Sequence, residues 1–210
     1  GLINLSENTR NYSSDFFNYN YFEGGRIHVD RKFTFRFYTI LIKRYKKSGN
    51  LLEIGCSFGN LLKRLEKDFS TYGIDKSKDA IKHGKNICKK SKTFVGDATN
   101  LSMFQDNFFD VVISLHTLEH LNDPGKAIAE VYRILKNNGL FIFATPNTSC
   151  LLKNLKGNEW HGYRDESHVS LLEPHKWVAL VEDKGFKVMK TFSDGFWDAP
   201  YIPLIPTKIQ

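Results

Sequence analysis

Several features are scarce in this chain of 210 residues, and each scarcity narrows what it can be. Its three cysteines, Cys56, Cys88 and Cys150, lie far apart and form no CxxC pair. That pattern excludes a disulfide framework and a zinc knuckle and fits a reducing cytoplasm. No apolar run approaches the roughly 18 residues that cross a bilayer, so no membrane span is expected. The opening residues Gly1-Leu2-Ile3-Asn4 hold no basic segment followed by an apolar one, and no secretory signal is expected either. Two phosphate-binding signatures are also missing. No strand runs into G-x-G-x-x-G, and no glycine turn ends in Gly-Lys-Ser/Thr, which argues against dinucleotide enzymes and nucleotide triphosphatases.

What is present is an ordinary globular balance, 41% hydrophobic and 25% charged, in a length suited to one domain. Lys and Arg number 30 against 23 Asp and Glu, a net +7 that favours acidic partners. The basic residues are spread along the chain; the densest group, Lys43-Arg44-Tyr45-Lys46-Lys47, reads as the solvated end of a helix.

Residues 1–30 are rich in Asn, Tyr and Phe without a clear period, and with a helix over about 30–47 they form an N-terminal arm (1–48), a candidate lid. Phe33, Phe37, Ile40 and Leu41 stand at helical spacing there. From residue 50 strands and helices alternate. Strands are expected at 50–54, 71–75, 93–95, 109–115, 140–144 and 186–190. The helices between them bury Leu61, Leu62 and Leu65; then Ala80 and Ile81 behind a Ser77 cap; then Ala127, Ile128, Val131 and Leu135. Asp123-Pro124 opens that third helix and Asn137-Asn138-Gly139 is expected to end it. A last helix from Pro174 to Gly185 buries Trp177, Leu180 and Val181. Such alternation argues for an α/β protein with a parallel sheet and right-handed crossovers. The tail 196–210 is apolar and proline-rich and supplies no further strand, so the chain reads as cut short there.

In an open parallel sheet, ligands bind beyond the carboxyl ends of the strands. The chemistry-bearing residues of this sequence fall at those ends. Glu53-Ile54-Gly55-Cys56-Ser57-Phe58-Gly59 follows the first strand, Asp75 ends the second, Gly96-Asp97 closes the third and His116 follows the fourth. Glycine lets the backbone turn tightly and approach a ligand. An acid about twenty residues past that turn can accept from both hydroxyls of a ribose.

With Tyr72-Gly73-Ile74-Asp75, Gly96-Asp97-Ala98, Phe109-Asp110-Val111-Val112, Leu118-Glu119-His120-Leu121 and Arg133-Ile134-Leu135-Lys136-Asn137-Asn138-Gly139, that set resembles the class I S-adenosylmethionine-dependent methyltransferases. The likeness is to the methyltransferase type 11 group, similar to ubiquinone-biosynthesis methyltransferases. It implies a Rossmann-like, doubly wound, mainly parallel sheet with helices on both faces, a three-layer sandwich, over residues 49–195. It also implies transfer of a methyl group from S-adenosylmethionine to an acceptor, here expected to be a small molecule. Carried over by position, Glu53, Gly55, Cys56, Ser57 and Gly59 surround the methionine part of the cofactor. Asp75, with Lys76 beside it, holds the ribose, Asp97 accepts from the adenine amino group and Ala98 meets the ring edge. Leu115 and His116 border the methyl group. Ser57 departs from the pattern, standing where a glycine is common.

His116 and His168 are the candidate bases. Read as one helical turn, 116–121 would place His116 and His120 on a shared face with Glu119 beside them. A divalent metal is not expected; in relatives that bind one, the matching positions here would be Glu119, His120 and His168, although His116 stands where an acidic ligand would be needed. The loop Trp160-His161-Gly162-Tyr163-Arg164-Asp165-Glu166-Ser167-His168-Val169 suits a small polar acceptor. An RNA or tRNA methyltransferase and a non-catalytic S-adenosylmethionine-binding protein are the alternatives.

Overall fold

A computed structural model describes residues 31–150, 157, 160, 163 and 165–193. The arm 1–30 and the tail 196–210 lie outside the described residues, as do His161 and Arg164. Five parallel strands form one sheet: β1 (Gly49–Ile54), β2 (Phe69–Asp75), β3 (Lys92–Val95), β4 (Phe109–Leu115) and β5 (Leu135–Ala144). Their order is β3-β2-β1-β4-β5. The chain moves outward from β1 to β3, then returns to β1's other side for β4, so a crevice opens between the carboxyl ends of β1 and β4.

Helices cover both faces, as the alternation of elements predicted. On one face lie α1 (Arg31–Tyr45), α2 (Asn60–Leu65) and α3 (Lys78–Gly84); on the other lie α4 (Pro124–Ile134) and α5 (Pro174–Asp183). The central strand β4 shows why its apolar run is uninterrupted. Val111 and Ile113 pack into the first layer, while Phe109 and Val112 pack into the second. Leu61, Leu62 and Leu65 of α2 are all fully buried, as expected. Among the described residues, no helix is long and apolar enough to cross a membrane.

Local signals set the helix starts. The Ser77 hydroxyl accepts from the Ala80 N–H at 3.1 Å, and the Asp123 carboxylate accepts from the Lys126 N–H at 2.9 Å ahead of Pro124. Both caps satisfy amides that a helix leaves without partners at its first turn.

Four sequence expectations need correction. In α1 the buried residues are Thr34, Tyr38 and Ile42, whereas Phe33 and Ile40 are 62% and 59% exposed. Only Phe37 and Leu41 of the expected set pack partly against the core. The helix α4 stops at Ile134, not at Asn137–Gly139. Leu135 already pairs with Phe109, and pairing resumes with Leu140 opposite Val111, so Lys136–Gly139 swing out of the ladder. Asn138 takes a left-handed φ of 62° there, so the turn-forming residues bend a strand instead of ending a helix. Leu180 of α5 is only partly buried. Residues 186–190 form no strand. A strand needs a neighbour's hydrogen bonds, and none of the described strands pairs with that segment; Phe186 and Val188 instead lie against the core.

Candidate active site

The first strand ends in the middle of the sheet, and its exit is tightly held. The N–H groups of Gly55 and Cys56 both donate to the Ile74 carbonyl, at 2.9 and 3.0 Å. Gly55 has φ 73°, and a Cβ there would overlap the Thr117 hydroxyl. Gly59 has φ 72°, and a Cβ there would overlap the Cys88 thiol. Glycine is required at both positions by backbone angle and by space together. Between them Ser57 also adopts a left-handed φ of 47°. The glycine expected at this position would do so without strain, and serine accepts about 1–2 kcal/mol of it. Cys56 points its sulfur toward Gly73, and burial pushes its thiol pKa well up, so it packs as a small apolar group.

Asp75 sits at the carboxyl end of β2, one oxygen taking the Ser57 N–H and the other the Ser77 N–H, each at 2.8 Å. Burial raises its pKa, and those two amides work in the opposite direction. Each carboxylate oxygen has a second lone pair left to accept a further hydrogen bond. Glu53, at the end of β1, is buried, and its Oε2 has no hydrogen-bond partner. Its pKa is raised well above the ordinary carboxylate value, first by burial and then by the charge of Asp75. A buried carboxylate oxygen without a donor is costly. A ligand cation at this edge, such as the ammonium of a methionine moiety, would satisfy it.

Asp97 forms its own turn. Its Oδ1 accepts from the Thr99 N–H at 2.8 Å and the Thr99 hydroxyl at 2.9 Å, and its Oδ2 lies 3.5 Å from Lys76 Nζ. Burial opposes the Asp97 charge, but Thr99 and Lys76 outweigh it and lower the pKa. The turn-forming tendency of Gly-Asp is therefore realised, with Oδ1 held by Thr99 and Oδ2 facing Lys76. The loop carrying Asp97 and buried Ala98 is pinned by α4: Glu130 accepts from the Leu101 N–H at 2.7 Å, and Arg133 donates to the Leu101 and Phe104 carbonyls.

Beyond β4 the arrangement departs from the expected helical turn. Leu115 ends the strand, and His116 adopts φ 51° with its N–H on the Ala144 carbonyl at 2.9 Å. A left-handed histidine is strained, and strain of this kind gathers at functional sites. The short 3-10 turn runs only from Leu118 to His120, so His116 lies outside it. Its Nδ1 meets Glu119 Oε1 at 3.1 Å instead of sharing a face with His120. Glu119 is 0% exposed, and its Oε2 has no hydrogen-bond partner.

The distant segment 165–170 closes onto this turn. The Val169 and Ser170 N–H groups donate to the Glu119 carbonyl at 3.0 and 2.9 Å. His120 Nδ1 lies 2.8 Å from the Ser167 hydroxyl, whose proton goes to Asp165. His120 and His168 have ring centroids 4.7 Å apart. One donor atom each from Glu119, His120 and His168 lies within 4.8 Å of the others, so the structure does gather the set named as the one a metal would use. Burial lowers the His120 pKa first of all, with Glu119 pulling the other way.

Three contributors escaped the sequence reading. Thr117 packs on Gly55 and places its hydroxyl 3.3 Å from both the Ile54 and Leu115 carbonyls. Cys88 closes on Gly59, and Asp165 anchors Ser167. Nothing in residue type marks the first two; the third stood in the acceptor loop without a role.

The molecule has known relatives. A family described as a methyltransferase domain matches residues 28–191. An uncharacterized protein of Methanocaldococcus jannaschii is 32% identical over 180 residues, covering 81% of this chain and 72% of its own. A ubiquinone biosynthesis O-methyltransferase of Pelagibacter ubique is 36% identical over 104 residues, 48% of this chain and 43% of that enzyme. The chain thus aligns with less than half of that enzyme's length. The fold is shared with the crystal structure of an S-adenosylmethionine-dependent methyltransferase from Archaeoglobus fulgidus, with a TM-score of 0.67. That match has 22% identity and covers 83% of this chain and 75% of the other.

Proposed function

The chain belongs to the methyltransferase-domain family, and from that premise we propose that it transfers a methyl group from S-adenosylmethionine to a small-molecule acceptor. One observation carries the reading: a buried Glu53 and a partly buried Asp75 flank a turn whose Gly55 and Gly59 leave no room for a side chain. That edge suits a ligand with an ammonium at one end and a ribose at the other. Glu53, Gly55, Cys56, Ser57 and Gly59 take the methionine part, Asp75 and Lys76 the ribose, and Asp97 with Ala98 the adenine. Leu115 and His116 border the methyl group.

When bound, S-adenosylmethionine supplies a methyl electrophile on a sulfonium that is already a good leaving group. The protein's share is alignment of the acceptor and exclusion of water. His116, held through Glu119, takes the acceptor's proton where there is one to lose, with His168 as the alternative base. Nothing in this reading requires a divalent metal, and turnover should be unchanged by a chelator. A small molecule is favoured over RNA because carboxylates (Glu53, Asp75, Asp97 and Glu119) crowd the strand ends, where phosphates would be repelled. Cytoplasmic residence accompanies the proposal, on the strength of three cysteines none of which is paired. Residues 49–195 are proposed as the catalytic domain, joined by α1, which buries Tyr38 and Ile42 in the core and so belongs to the sandwich and not to a lid.

Asp75→Ala tests the reading by calorimetry. Loss of two charge-assisted hydrogen bonds, at about 1.5–3 kcal/mol each, should weaken S-adenosylmethionine binding by 100-fold or more. Unchanged affinity would refute the site.

A further inference from the structure

Two buried carboxylates stand at the ends of adjacent strands, each with one oxygen that no donor reaches. Glu53 ends β1, and Glu119 follows β4 on its 3-10 turn. The proposed function uses Glu53 for the cofactor's ammonium and leaves Glu119 Oε2 unexplained. Glu119 has no access to water, and its other oxygen is already on His116 Nδ1 at 3.1 Å. An uncompensated carboxylate oxygen in such a place calls for a cation or a hydrogen-bond donor.

The surroundings say which kind. His120 and His168 bring one ring nitrogen each to within 4.8 Å of that carboxylate, and Asp165 stands behind both, 3.8 Å from His168 Nε2 and bonded to Ser167. These are acceptors for N–H groups and partners for positive charge, and they repel anions.

Resting on the methyltransferase reading above, we infer that Glu119, His120 and His168 form the pocket for a basic amine, and that the acceptor atom is its nitrogen. The bound ammonium first gives one proton to His116 or to water; the neutral amine nitrogen then gives its lone pair to the methyl carbon, and the carbon–sulfur bond breaks with its electron pair remaining on sulfur. The positive charge passes from sulfur to nitrogen, next to Glu119. A primary or secondary product amine then releases one further N–H proton to water. Charge and atoms balance without a further reactant. An acceptor that begins as a neutral phenol gains nothing from this pocket, and a carboxylate is repelled by it.

The test uses methyl-labelled S-adenosylmethionine with a deproteinised cell extract as the source of acceptors, in wild type, Glu119→Gln and His168→Asn. Label should appear in products retained on a cation exchanger at pH 7. Both variants should reduce that product at least tenfold, while calorimetric affinity for S-adenosylmethionine stays within threefold. His168→Asn leaves the buried carboxylate in place and so keeps the test valid should Glu119→Gln fold poorly. Label in neutral or anionic products overturns the amine assignment. Loss of all turnover on adding a chelator, restored by a divalent ion, also overturns it, because the cation at Glu119 is then a metal. Failure of the wild type to bind S-adenosylmethionine contradicts the underlying reading instead, as does binding without any transfer.

Discussion

The donor and acceptor sides of the crevice are built by different means. On the donor side, backbone does the holding: Gly55 and Cys56 donate to the Ile74 carbonyl, and the Ser57 and Ser77 amides grip Asp75. On the acceptor side, side chains hold one another across long stretches of sequence. His116 rests on Glu119, and His120 reaches Ser167, 47 residues away. A backbone cradle is set by chain geometry and tolerates little change in shape. A side-chain network can be rewritten one residue at a time, which suits the half that must recognise a particular acceptor.

Substitutions can break or sharpen that contrast. The largest effect is expected from Gly55→Ala. The left-handed φ costs about 1–2 kcal/mol in alanine, and overlap with Thr117 adds about 1–3 kcal/mol. Thermal melting should fall accordingly, and cofactor binding with it. Adding Thr117→Ala should return the overlap part and not the φ part; full recovery would mean that the turn is a packing site and not a backbone cradle.

A smaller and opposite effect is expected from Glu53→Gln. The pKa of Glu53 is raised on folding, so the folded state binds its proton more tightly than the unfolded one does. Between the ordinary carboxylate pKa and the raised one, stability therefore falls as pH rises. Glutamine removes that penalty. Melts from pH 4 to 8 should show the variant a few degrees more stable at neutral pH, with a flatter profile, while S-adenosylmethionine binds more weakly. In the wild type, acid should weaken cofactor binding as Glu53 is protonated. A variant no more stable than the wild type at pH 7 would show that burial of this carboxylate carries no cost.

The same contrast explains what was legible in the sequence. The donor side could be read because its parts are set by strand ends: once a strand–turn–helix repeat is recognised, Gly55, Asp75 and Asp97 must line one edge. The Ser77 and Asp123 caps were legible for a similar local reason. The acceptor side was legible only as a set of residue types. Helical spacing puts His116 and His120 on one face, but the left-handed φ of His116 breaks the turn, and no residue type announces that angle. The contact of His120 with His168 depends on the path of a whole loop. Residues 186–190 show the same limit in the fold, since alternation marks a segment able to extend and cannot supply the neighbour it must pair with. In α1, Phe33 and Ile40 fit a helical period yet lie on its outer side, because period alone does not say which face meets the sheet.

The central claim is that the strand-end carboxylates and the glycine turn select S-adenosylmethionine. Calorimetric titration of the wild-type protein with S-adenosylmethionine, S-adenosylhomocysteine and NAD tests it most directly. Saturable one-to-one binding of the first two and none of NAD is predicted. No binding of S-adenosylmethionine, or equal binding of NAD, would contradict it.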